Sequence, residues 1–426
     1  MTGFPQKSLA SVFSTVRRLV ILALVLITFG ASIALAQTKG YVTNALNDTV
    51  SVIDTATNTV TATIPVGPAP ITLAVTPNGD FVYVANQNNS TVSVISTATN
   101  TVIATVSLGP IAIPGEIAIT PNGAFAYVVI GVGSSVAVID TATNTVVATV
   151  PVGQSPFGIA ITPNGAFAYV ANTNMIFNSS VSVIDTATNT VIATIPAGLG
   201  ASSIAITPNG AFAYVTNFIG GDVSVIDTTT NTIIATVPVG GFLGGIDITP
   251  NGAFAYVAQE SNNTVSVIDM ATNTITATVP VGFAPRGVAI TPNGTSAYAV
   301  NSLSNTVSVI DIATNTVTAT ILVGERPLNI AFPKPQSAQD PIASLIAQVE
   351  ALIAGGTLTQ NQGAGLIDKL NQIRLKLDNH QTDVACNQLS AFINQVNAFI
   401  NSGALTQTQG QSLNDAANAL KTSLGC

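Results

Sequence analysis

Apolar and polar residues alternate with a period of two through most of this chain, in short runs bounded by turn residues. The run Phe167-Ala168-Tyr169-Val170-Ala171-Asn172 follows Ile159-Ala160-Ile161-Thr162. It precedes Ser180-Val181-Ser182-Val183-Ile184-Asp185 and Thr190-Val191-Ile192-Ala193-Thr194-Ile195-Pro196. Val, Ile, Thr and Tyr fill these runs, which predicts four short β-strands. Thr162-Pro163-Asn164-Gly165 puts Pro where a type I turn fixes φ and Gly where φ turns positive, so it predicts a tight hairpin. Asp185-Thr186-Ala187-Thr188-Asn189 predicts a second hairpin, in which the carboxylate accepts N–H groups of its own turn.

This unit is repeated. The Ser-Val-Ile-Asp phrase ends, with small changes, at Asp54, Ser96, Asp140, Asp185, Asp227, Asp269 and Asp311, at intervals of 42, 44, 45, 42, 42 and 42 residues. Thr-Pro-Asn-Gly begins at Thr76, Thr120, Thr162, Thr207, Thr249 and Thr291. All seven tyrosines, Tyr41, Tyr83, Tyr127, Tyr169, Tyr214, Tyr256 and Tyr298, hold one slot of the unit. Four antiparallel strands in such a period match a propeller blade. The array opens at Tyr41 with a second strand and closes at Leu328–Phe332 with a copy of the first. Joining the two completes a ring of seven and removes the exposed ends of an open stack. In Phe167–Val170 the large side chains alternate with small ones, so neighbouring sheets can mesh large against small.

Tyr41-Val42-Thr43-Asn44 and Tyr214-Val215-Thr216-Asn217, each followed by Ser-Val-Ile-Asp-Thr and Pro-Val-Gly, resemble the YVTN β-propeller repeat family over about 41–332. The resemblance implies an all-β seven-bladed propeller and a secreted, surface-layer-like setting. It implies no single activity, because a propeller hosts many functions.

Two flanking segments follow other patterns. At the start, Arg17-Arg18 precedes an apolar stretch from Leu19 that ends in Ala34-Leu35-Ala36. A basic start, an apolar middle and an A-x-A end predict a signal peptide over 1–36, with an uncleaved anchor as the rival reading. After the propeller (37–333) and a proline-bearing linker (334–341), apolar residues fall at helical spacing: Ile342, Leu345, Ile346, Val349, Leu352, Ile353. Thr359 with Gln362 and Thr406 with Gln409 are capping-box starts that recur 47 residues apart. They predict two helical hairpins over 342–426, packed as a small all-α bundle. Cys386 lies near the start of the third helix and Cys426 at the end of the fourth, at one end of an antiparallel hairpin. A disulfide is expected between them, with a pair of free thiols as the alternative. Ala385-Cys386-Asn387-Gln388-Leu389 and Phe392-Ile393-Asn394 resemble the FIMAH domain of secreted bacterial proteins.

Composition narrows the function. Only 7% of the 426 residues are charged, against about 25% in ordinary soluble chains. Setting aside 1–36, with Lys7, Arg17 and Arg18, leaves 8 basic against 19 acidic residues, a net charge of −11. A phosphate backbone needs clustered Lys and Arg, so nucleic acid is excluded as a partner. No second apolar run is long enough to span a bilayer, so no membrane span is expected once the leader is removed. The expected location is secreted, periplasmic or cell-surface.

His380, the only histidine, lies in the tail, and both cysteines lie there too. The ring therefore lacks the residues for His or thiolate catalysis and for a transition-metal site. No cofactor is expected; calcium at Asp54, Asp140, Asp185, Asp227, Asp269 and Asp311 is the alternative to their turn role. Asp247 replaces the Ala of Ile-Ala-Ile-Thr and either lines the channel or is a solvated carboxylate.

The clearest functional signal comes from comparing the seven copies. In an up-and-down blade the first and third loops lie at one end, the second loop and the crossover at the other. The first kind is nearly uniform here and the second varies in length and chemistry. Glu116, Asp222, Glu260, Arg286, Glu325 and Arg326 fall in the variable class, as do Phe157, Phe177, Phe218, Phe242 and Phe283. Variable loops on a rigid frame are where recognition sits. The expectation is a non-catalytic binding or scaffold module that offers this rim to a protein or peptide partner at the cell envelope. The alternatives are a hydrolase or lyase using rim carboxylates such as Glu116 or Glu260, and a structural surface-layer subunit that self-assembles.

Overall fold

A computed structural model describes residues 39–173, 179–333, 341–378, 381–424 and 426. The expected leader and most of the expected linker lie outside the described residues, as do Phe177 and His380.

The strands form seven four-stranded antiparallel sheets. Blade 4 shows the plan: inner strand Pro156–Ile161, second strand Phe167–Asn172, third strand Ser180–Asp185 and outer strand Thr190–Pro196. Three of these carry the bounds read from the sequence. The inner strand begins three residues earlier than Ile159, because the segment from Pro156 already pairs with the second strand across a bulge. Blade 1 is built from both ends of the array. Pro327–Ala331 is the inner strand beside Lys39–Asn44, with Val42 opposite Ile330 and Tyr41 opposite Ala331. The inner strands neighbour one another in a closed cycle, and 327–331 touches both 285–290 and 70–75. The chain is a seven-bladed propeller closed by its last strand.

Blade packing follows the alternation in the second and third strands. Tyr127, Val129, Val136 and Val138 of blade 3 meet Ile159, Ala168, Val170 and Ile184 of blade 4 in one dry layer. Six of the seven buried tyrosines also reach across the seam to the next blade, Tyr41 being the exception. The Tyr127 hydroxyl donates to Asn189 Oδ1 at 2.7 Å, and Tyr298 donates to Asn58 at 2.6 Å where the ring closes. Those asparagines sit at left-handed φ near 53°, a conformation that suits Asn. Tyr83, Tyr169, Tyr214 and Tyr256 repeat the bond. Burial pushes the Tyr298 hydroxyl up to about 12, so this belt stays protonated.

Two further features of the repeat have packing causes. Asn86 ends its strand fully buried and donates to Thr91 and Ser93 of the next strand at 3.1 and 2.9 Å. The Gly of Pro-Val-Gly lies against that amide, since a Cβ on Gly67 would stand 2.6 Å from Asn86 Cγ. The turn aspartates accept local N–H groups as expected: Asp140 Oδ1 takes the N–H of Thr143 at 2.8 Å, and Asp185 that of Thr188 at 2.9 Å.

The tail consists of α1 (Pro341–Ala354), α2 (Gln360–Asp378), α3 (Thr382–Asn401) and α4 (Gln407–Ser423). Its core is drawn from tail residues alone, including Leu345, Val349, Leu370, Phe392, Val396 and Leu413. Both capping boxes form: Thr359 N–H donates to Gln362 and Thr406 N–H to Gln409, at 2.9 and 3.0 Å. Cys386 and Cys426 are joined in a disulfide. Among the described residues, no helix is long and apolar enough to cross a membrane.

Candidate functional site: the variable rim and channel mouth

Backbone hydrogen bonds tie each second loop to the crossover that leads into its own blade. Gln87 N–H donates to Ala69 O, Phe218 to Gly200 O, Glu260 to Phe242 O and Ser302 to Ala284 O. The two variable loop classes thus form one continuous rim, opposite the Thr-Pro-Asn-Gly turns.

That rim is apolar and exposed. Phe157, Phe242 and Phe283 are 41, 48 and 66% exposed. Leu46, Ile111, Ile113, Val132, Leu199 and Leu303 are exposed on loops of the same rim. Counting only aromatic and charged residues in the loops misses these six aliphatic side chains, although the same copy-to-copy comparison contains them. The remaining exposed apolar side chains of the ring lie mostly on the outer strands, as Ile192 and Ile234 do.

The other expected rim residues are placed as follows. Phe218 stacks on Phe242 with ring centroids 5.0 Å apart and 12° between planes. Glu260 and Arg286 pair at 2.8 Å across the seam between blades 6 and 7. Asp222 starts the third strand of blade 5 and accepts from Asn217. Glu325 and Arg326 lie in the crossover into blade 1, where Arg326 N–H donates to Asn305 Oδ1 at 2.9 Å.

Phe157 and Arg286 belong to the inner strands Pro156–Ile161 and Pro285–Ile290 rather than to loops, and so does Glu116, in Pro114–Ile119. The Glu116 side chain passes the channel-facing edge of blade 4 and reaches blade 5. Oε2 accepts the N–H of Ile159 at 3.1 Å, and Oε1 accepts the hydroxyl of Ser203 at 3.0 Å. The aligned residue of the intervening blade is Gly158, whose missing Cβ would lie 1.9 Å from Ser202 O. Asp247 behaves similarly at the other end of the channel. It accepts the N–H groups of Ile248 and of Ile290 in the next blade, at 2.9 and 2.8 Å.

Enclosure by the ring raises the Glu116 carboxyl from 4.5 to about 7, and its two hydrogen bonds oppose the shift only in part. The folded chain therefore holds this proton more tightly than the unfolded chain. The resulting stabilisation is complete below about 4.5 and is lost as pH rises through about 7. It is worth about 3 kcal/mol for a shift of this size. Glu116→Gln should remove that slope, so urea midpoints of the wild type fall between pH 5 and 8 while those of the variant stay level. A level wild-type profile would count against a carboxyl held in this way. The turn carboxylates act with opposite sign. N–H groups of their own turns hold Asp140, Asp185 and Asp227 low, a contribution lost only as pH falls through that lowered range.

Comparison with known proteins gives three family-model matches along the chain. Residues 342–422 match the FIMAH domain model. The ring is a β-propeller, and the tail is a FIMAH domain. Residues 5–125 match the YNCE-like beta-propeller model and 119–245 the Cytochrome D1 heme domain model. A chain of Kuenenia stuttgartiensis hydrazine synthase is similar at 25% identity and a TM-score of 0.58, over 64% of this chain and 92% of that one. A functionally unknown Desulfotomaculum acetoxidans protein has 22% identity and a TM-score of 0.61, over 70% of this chain and 99% of its own. A candidate 6-phosphogluconolactonase from Bacteroides uniformis has 18% identity and a TM-score of 0.58, over the same shares. No curated protein matches the chain.

Proposed function

We propose that this protein is an exported, non-catalytic binding module whose variable rim docks a protein or peptide partner at the cell envelope. The observation that carries the reading is the collar of exposed Phe, Leu, Ile and Val side chains on that rim. Apolar side chains exposed on the variable loops of a rigid frame suit recognition of a partner. The disulfide and the FIMAH domain support an extracytoplasmic setting.

Haem chemistry, suggested by one of the matched models, does not suit these residues. Haem iron takes His, Cys or Tyr as its axial ligand, or Met paired with His. The ring contains no His or Cys, and six of its seven tyrosines donate to the next blade's asparagine. Likewise, Glu116 has Ser203 and a backbone N–H as partners, a set that braces three blades. Among the described residues no three His, Cys, Asp or Glu side chains gather to hold a metal.

The test is capture from the native envelope by immobilised protein, with the partner identified by mass spectrometry. A variant carrying Phe157→Ser, Phe242→Ser and Phe283→Ser should keep its melting temperature and lose the partner by at least about tenfold, as exposed anchor residues do. Equal capture by both proteins would overturn the reading, and recovery of the chain itself would redirect it to self-assembly.

A further inference from the structure

The seam between blades 1 and 2 lacks a bond that the other six seams make. Its apolar layer is ordinary: Tyr41, Val50, Val52 and Ile64 of blade 1 meet Leu73, Val82, Val84 and Ile95 of blade 2. The repeat pairs a tyrosine with the left-handed asparagine of the next blade, which sets Asn100 against Tyr41. Asn100 has the matching φ of 53°. Yet its Oδ1 is buried and accepts no hydrogen bond, and among the described residues the Tyr41 hydroxyl meets no acceptor. Tyr41 is 1% exposed, and burial pushes its hydroxyl up to about 12, so the donor proton stays in place.

The turn that carries Asn100 is also less braced. Asp140 Oδ1 accepts the Thr143 N–H in blade 3, and Asp185 Oδ1 accepts those of Ala187 and Thr188 in blade 4. Blade 2 has Ser96 at that place, which offers its turn no carboxylate. Elsewhere the seam is tied. Asp48 Oδ1 accepts the Ala69 N–H at 2.9 Å on the rim, and Thr43 Oγ1 donates to Ile71 O at 3.3 Å on the inner strand. The closure of the ring is tied as well. Tyr298 donates to Asn58 there and meets Phe332 edge-on, with ring centroids 5.0 Å apart.

We propose that the ring opens at the seam between blades 1 and 2, parting them on the side of the uniform turns and hinging at the crossover 66–69. A buried donor and a buried acceptor that do not meet are costly, and water satisfies both once the blades part. The six bonded seams lose a bond on opening, whereas this one leaves two orphaned groups solvated. Stability is uneven across a fold, and local opening starts where it is lowest. The gap faces the end of the ring, since a Cβ on Gly79 of blade 2 would stand 3.5 Å from Pro333 Cβ. The ring thus gives way beside the point where it hands the chain to its tail, one seam on from where its own ends meet.

The test is hydroxyl-radical footprinting of the full chain, read by mass spectrometry, with one buried tyrosine per blade as internal comparison. Tyr41 should be oxidised at least about tenfold faster than Tyr127, Tyr169 and Tyr298, as two unmet buried groups would cause. Ile95, which packs in this seam, should be oxidised along with it, while Ile53, which packs toward blade 7, stays protected. Equal rates for the tyrosines would overturn the proposal. Oxidation of Ile53 together with Tyr41 would do so too, because blade 1 would then be fraying from the closing strand. Phenylalanine variants give a second measurement. Tyr127→Phe should lower the melting temperature of the propeller by about 2 °C, and Tyr41→Phe should leave it unchanged. Equal losses would mean that Tyr41 has a bond to lose, and the proposal falls. None of these outcomes depends on what the rim binds.

Discussion

Ile330→Asp is expected to destabilise the propeller by about 5 kcal/mol, because it puts a carboxylate into the core where the ring closes. Ile330 is 4% exposed and packs with Val42, Tyr298 and Val300, so it touches both the first blade and the seventh. Removing its side chain alone should cost about 2–5 kcal/mol, and an ionised carboxylate left there without a partner adds to that. The same residue faces Val42 in the strand pair that joins the two ends of the array. Amides from Tyr41 to Asn44 should therefore exchange with solvent far faster in the variant than amides of blade 4. Ile330→Val, which keeps the shape, should cost about 1 kcal/mol. An unchanged urea midpoint for Ile330→Asp would mean that the ring does not depend on its last strand.

Cys426→Ser should lower the stability of the FIMAH domain by about 4 kcal/mol, the chain-entropy value for freeing a loop of this length. The bridge spans 40 residues, from the first turns of α3 to the residue beyond α4. It is the one covalent tie in a core built only from tail residues. Thermal melts followed at the helical circular-dichroism band should therefore show the helical transition shifting down while the sheet transition stays put. Reduction of the wild type should reproduce the variant. A helical transition that ignores both treatments would show that the hairpin is already held by its apolar contacts and capping boxes.

Much of this architecture was legible because the chain states it seven times. A single Phe-Ala-Tyr-Val run could be a strand in many folds. Seven related runs spaced 42 to 45 residues apart, with one end lacking an inner strand and the other supplying it, leave few alternatives to a closed ring. The tail was legible for a related reason, since Thr359 and Gln362 recur as Thr406 and Gln409.

What escaped the sequence lies where copies differ. Glu116 read as a loop residue because its crossover, Gly109 to Ile113, is longer than most, which hides where the inner strand begins. Its partner Ser203 is two blades away, and only the closed ring places it within reach. The aliphatic part of the rim, including Ile111 and Leu303, was written in the chain but looks like ordinary strand apolarity until the ends of strands are fixed. The Phe218–Phe242 stack joins a second loop to a crossover, a pairing that repeat spacing does not encode.

The tyrosine–asparagine link carries one more implication. At six of the seven seams the donor sits in one copy and its acceptor in the next, so a copy is a coupling piece with a plug on one side and a socket on the other. Recombination that exchanges, adds or removes a whole copy leaves plugs and sockets matched, whereas a cut within a copy separates them. Mutation can then remodel the loops of any one copy without disturbing how it mates with its neighbours. A lineage built on this chain is free to diversify what it grips while its frame is kept uniform by exchange among copies.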